Sequence, residues 1–65
     1  MNDELIGAAI IDGRGRHVSD VEDGATLRAA CDLAQGYADR LGRHVNLLDS
    51  DGEIVKQVHP SADAA

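Results

Sequence analysis

One segment of this chain can form a long helix, and that sets the fold. From Leu27 the apolar residues fall at Leu27, Ala30, Cys31, Ala34, Tyr37, Ala38 and Leu41. This is an i, i+3, i+4, i+7 stripe, the spacing that gathers side chains on one face of a helix. Arg28, Asp32, Gln35, Asp39 and Arg40 take the opposite face. Asp23 or Thr26 is placed to cap the start, with acidic residues crowding the first turn. Gly42 stands where a left-handed stop is expected, beside Arg40 and Arg43. Gly36 costs the helix about 1 kcal/mol relative to alanine, and close approach to a sheet is its expected reason.

The rest of the chain reads as strands. LIGAAIID (residues 5–12) is an apolar run that ends in the turn signal Asp12-Gly13-Arg14-Gly15. RHVSDV (16–21) carries Val18 and Val21 and is its return strand. HVNLL (44–48) and IVKQV (54–58) form a second hairpin around Asp49-Ser50-Asp51-Gly52, with glycine in the left-handed position. The expected fold class is α+β, in the order β-β-α-β-β. An antiparallel sheet of three or four strands carries one amphipathic helix on one face. Residues 1–60 make a single small domain, and residues 61–65 are expected to be a disordered tail. One helix covers one face of a sheet, so the other face stays open. Ile10 and Ile11, Leu47 and Leu48, and Ile54 and Val55 are adjacent pairs, which puts aliphatic side chains on both faces.

Size limits what such a fold can do. A chain of 65 residues buries only about 60% of its unfolded surface. Tyr37 is its one aromatic residue, so Ala, Ile, Leu and Val must fill the core. The volume needed to wall a deep substrate pocket is missing. The net charge of −6, from twelve Asp/Glu against six Lys/Arg, argues against direct binding to nucleic acid or to an anionic membrane. The N-terminus MNDELIG is acidic with a short apolar run, unlike a signal peptide. No stretch approaches the roughly 18 apolar residues of a membrane span. A lone Cys31 has no internal disulfide partner. Together these features predict a cytoplasmic protein.

Motifs for chemistry fail on inspection. Asp49, Asp51 and Gly52 match the middle of an EF-hand loop, but Leu47 stands at the first ligand position and Val58 at the bidentate one. His17, His44, His59 and Cys31 show no zinc spacing. Cys31 lies on the apolar stripe, where a thiol is inert. Gly13-Arg14-Gly15 lacks the lysine and the helix of a phosphate loop. The chain is therefore read as a non-enzyme without metal or cofactor.

Charge layout remains. In β-β-α-β-β order the loop before the helix and the second hairpin share one end. Asp20, Glu22, Asp23, Asp49, Asp51 and Glu53 gather there, while Arg14, Arg16, Arg40 and Arg43 gather at the other. Helix-dipole stabilisation accounts for Asp23 and Arg40, but less well for the carboxylates of another element. Spaced carboxylates also imitate DNA phosphates and fit a basic groove, through attraction that salt weakens. Asp32 and Asp39, on the outer helix face, extend this field.

The short strand LIGAAIID, the helix GATLRAACDLAQGYADRLG and the acidic hairpin LLDSDGEIV together resemble the small acidic anti-CRISPR proteins of phages. The likeness is to those acting on type I systems, type I-C among them, and it lies in size, charge and layout. It implies a non-catalytic inhibitor that binds a Cascade subunit and denies DNA its site. Separately, a monomer is expected rather than a dimer. The segment GRHVNLLDSDGEIVKQV is also similar to the end of small bacterial β-β-α-β-β domains, which supports the fold. The alternative is a small assembly module that docks or self-associates through the open sheet face.

Overall fold

The computed structural model describes residues 4–61. All of the expected tail except Ser61 lies outside the described residues. The elements run β1 (Glu4–Leu5), β2 (Ala9–Asp12), β3 (His17–Asp20), β4 (Ala25–Thr26), α1 (Leu27–Leu41), β5 (Val45–Leu48) and β6 (Ile54–Val58). The main sheet has four antiparallel strands in the order β3-β2-β5-β6. A two-stranded ribbon of β1 and β4 adjoins it. This is the α+β arrangement that the sequence predicts.

Helix α1 begins and ends as its sequence demands. Thr26 is extended and its hydroxyl accepts a hydrogen bond from the Ala29 amide. Gly42 is left-handed, and its N–H bonds the Ala38 carbonyl. One expectation about the first turn needs correction, and of the two cap candidates Thr26 is the one used. The turn holds no acidic residue, and Asp23 does not cap the helix but accepts a hydrogen bond from the Gly7 amide at 3.0 Å.

The buried side of α1 is made of alanine. Ala30, Ala34 and Ala38 are at most 1% exposed. They pack on Ile10 of β2, Val45 and Leu47 of β5, Val58 of β6, and Ala8 and Val21 from the loops. The stripe also named Leu27, Cys31, Tyr37 and Leu41. Cys31 and Tyr37 are half-buried against this core, whereas Leu27 and Leu41, in the first and last turns, are exposed. The stripe is longer than the sheet beneath it. Gly36 also departs from expectation. It is exposed on the side away from the sheet, and a Cβ there would meet nothing within 4 Å.

Register explains the paired aliphatics. Ile10 pairs with Leu47 and Ile11 with Asn46. The first pair faces the helix and is fully buried, so alternation puts the second pair on the open face. Irregular pairing leaves Val18 as the extra residue of β3 and Val55 as that of β6. These bulges place Leu48 opposite Ile54 on the open side.

The run 5–12 is not one strand. It bends at Ile6-Gly7, where Gly7 adopts φ +70°. A Cβ at Gly7 would lie 3.1 Å from the Cβ of Ser50. Left-handed backbone costs a residue with a side chain roughly 1–2 kcal/mol, and this contact adds to it. Gly7→Ala is therefore expected to lower stability by at least about 1 kcal/mol in urea denaturation, with an unchanged m-value. A neutral result would show that the bend carries no constraint.

Candidate partner-binding pole

The pole is built by a turn that organises its own carboxylates. Asp49 opens the β5–β6 hairpin, and its Oδ1 accepts hydrogen bonds from the amides of Asp51 (2.9 Å) and Glu53 (3.0 Å). The Gly52 amide bonds the Asp49 carbonyl, and the Asp49 amide bonds the Glu53 carbonyl, each at 3.0 Å. Gly52 takes the left-handed conformation, φ +82°. With the backbone closed this way, carboxylate oxygens of Asp49, Asp51 and Glu53 lie within 4.8 Å of one another. Three like charges held this close make a locally dense negative patch.

The loop from β3 to β4 reaches the same end. Val21 is buried, its amide bonding the Ala8 carbonyl at 3.0 Å, and the Gly24 amide bonds the Leu5 carbonyl at 2.8 Å. Glu22 and Asp23 are exposed beside them. Gly7 joins the two loops, giving its N–H to Asp23 and lying against Ser50. Asp20, at the end of β3, is 2.8 Å from the His17 ring. The structure thus brings Asp20, Glu22, Asp23, Asp49, Asp51 and Glu53 to one end, as the chain directions require.

Asp32 and Asp39 stand apart. Asp32 is exposed in the second turn of α1. Asp39 is in the last turn of α1 and serves the fold there. Its Oδ1 accepts the Ser61 amide at 2.8 Å and the Gln35 side chain at 3.0 Å. Gln35 also donates to the His59 carbonyl at 2.7 Å. Asp39 therefore pins the C-terminal segment along one flank of α1. Sequence reasoning missed this clamp, which joins residues 22 positions apart.

The opposite end repeats the turn with opposite charge. Asp12 Oδ1 accepts from the amides of Arg14 (2.8 Å) and Arg16 (2.9 Å). The Gly15 amide bonds the Asp12 carbonyl, and the Asp12 amide bonds the Arg16 carbonyl. Asp-x-x-Gly-x closes both hairpins. Arginines occupy the third and fifth positions in one and acids in the other.

Metal chemistry was not expected, and the group of potential ligands that gathers among the described residues is Asp49, Asp51 and Glu53. Calcium takes about six to eight oxygens. Three carboxylates from one turn leave the remainder to solvent. His44 and His59 approach to 5.6 Å between ring centroids, and half-buried Cys31 packs against the core instead of joining them. Comparison with known protein families, with curated proteins and with solved structures finds no match for this chain.

Two carboxylates have perturbed acidity. The Asp39 carboxyl is held below its ordinary value of 3.8, first by the Ser61 amide and then by Gln35. The Asp12 carboxyl is lowered from the same value, chiefly by the Arg16 amide. A carboxylate with a depressed folded pKa contributes stability that is complete above its unfolded value and is lost as pH falls through the folded one. Asp12→Asn/Asp39→Asn should flatten the decline in stability below about pH 4, read from urea denaturation across the acid range. An unchanged slope would assign that decline to other groups.

Proposed function

We propose that this chain is a non-catalytic acidic binding protein that occupies the basic surface of a nucleic-acid-binding protein in place of DNA. The observation that carries the reading is the convergence of two separate acidic loops at Gly7, while a matched hairpin at the far end carries arginine. Helix-dipole complementation does not account for this pole, because Thr26 and not Asp23 caps the helix, Asp23 bonds the Gly7 amide, and Asp49, Asp51 and Glu53 belong to a hairpin. A dense exposed cluster of one sign raises encounter rates with an oppositely charged surface and makes binding salt-sensitive. The resemblance to small acidic anti-CRISPR proteins narrows the partner to a basic DNA-binding subunit of a type I Cascade complex in a bacterial cytoplasm. The action is inhibition by exclusion of DNA.

The carboxylates divide by duty. Asp23 and Asp49 bond backbone amides that shape the pole, and replacing them would confound binding with folding. Glu22, Asp51 and Glu53 are exposed, and their side chains are the ones left to meet a partner. Glu22→Lys/Asp51→Lys/Glu53→Lys should keep the native circular dichroism spectrum. It should also abolish salt-sensitive capture of the basic subunit from lysates containing type I complexes, and relieve inhibition of DNA binding. Capture by this variant at wild-type strength would sink the proposal.

A second reading, docking through the open sheet face, draws on Asn46. This residue is 8% exposed on the central strand β5, and its Oδ1 has no hydrogen-bond partner. Ile54 and Val55 of the neighbouring strand β6 are 60% and 38% exposed. Under that reading Ile54→Asp, and not the lysine substitutions, disrupts the association.

A further inference from the structure

Helix α1 has three sides, and two are covered. Its alanines face the sheet. Its Gln35–Asp39 flank holds the C-terminal segment. The third side carries a shallow groove of about 150 Å³ lined by Leu33, Gly36, Tyr37 and Arg40. These positions are i, i+3, i+4 and i+7, the four residues that form a hole for a knob from another helix. Leu33 is 42% exposed at its edge.

Gly36 lacks an internal reason. It weakens a mid-helix position by about 1 kcal/mol relative to alanine, yet nothing within 4 Å would oppose a Cβ. A bare backbone facing outward fits the close approach of another backbone. The charges around it identify which one. Asp32 and Arg40 lie four residues before and after Gly36, about 6 Å along the axis and roughly 40° around it in opposite senses. Among the described residues neither makes an ion pair. A helix that repeats this pattern antiparallel, on a two-fold axis at Gly36, sets each Arg40 level with the other copy's Asp32. It also places the other copy's Leu33 on the groove side, between Tyr37 and Arg40.

We infer that a second copy of this chain is the occupant, forming an antiparallel two-fold dimer across the Gly36 face of α1. A monomer was expected from sequence; this face, whose Leu33 falls outside the apolar stripe, is visible only once the buried side of α1 is known. The interface is one helix wide and therefore weak. It leaves the acidic pole free.

The test is sedimentation equilibrium of the full chain up to about 1 mM, the range in which a weak pair associates. The wild type should show a monomer–dimer equilibrium. Gly36→Gln fills the groove with a better helix former. It should weaken association by about tenfold or more, equivalent to about 1.4 kcal/mol, while the melting temperature of the dilute protein holds or rises. A residue needed only for folding would not move these two readouts apart. Arg40→Asp or Asp32→Arg alone should weaken the dimer, and the two together should restore it. A wild type that stays monomeric throughout overturns the inference. So does a Gly36→Gln protein that dimerises like wild type, including one whose dimer is lost on Ile54→Asp.

Discussion

Contact between an alanine face and a sheet of branched aliphatics holds this protein together. Ala30, Ala34 and Ala38 add little volume, so α1 lies close on the sheet, and Ile10, Val45 and Leu47 fill the space between. Each of these larger side chains contributes roughly 1.5–3 kcal/mol by burial. Among the described residues no other layer supplies more. The same economy pushes bulk outward. With alanine inward, Leu27, Leu33 and Leu41 are left at the ends and the flank of the helix, between 36% and 45% exposed. The surfaces available to partners follow from the way the core is filled.

A chain rich in carboxylates divides them between two tasks. Asp12, Asp23, Asp39 and Asp49 accept backbone amides, and each fixes a turn or a chain crossing. In so small a domain they do part of what a larger core would do. Glu22, Asp32, Asp51 and Glu53 carry charge free of these duties. Net charge alone does not separate the groups; only the hydrogen bonds do.

Local signals were the legible ones. The 3.6-residue period located α1, Thr26 and Gly42 marked its ends, and the Asp-Gly turns located both hairpins. Alternating strand directions then sufficed to bring the two acidic loops together, because that depends on topology and not on packing detail. What escaped notice depends on distant partners. Gly7 sits inside an apolar run and breaks it because Asp23 and Ser50 meet it there. The ribbon of β1 and β4 consists of two-residue strands with no periodicity to read. The extra residues Val18 and Val55 follow from register. Asp39 resembled other exposed helix carboxylates, and only the return of the chain at Ser61 distinguishes it.

The twin hairpins bear on how such a surface changes over generations. Each is closed by its aspartate, its glycine and main-chain groups, so the side chains at the third and fifth positions carry no part of the closure. One backbone form already accommodates Arg14 and Arg16 in one copy and Asp51 and Glu53 in the other. Substitutions at these positions can rewrite the character of either end without disturbing how the chain folds. A lineage pressed by a fast-changing counterpart would find its room for variation there, while the alanine face and the two turn aspartates stayed under purifying selection.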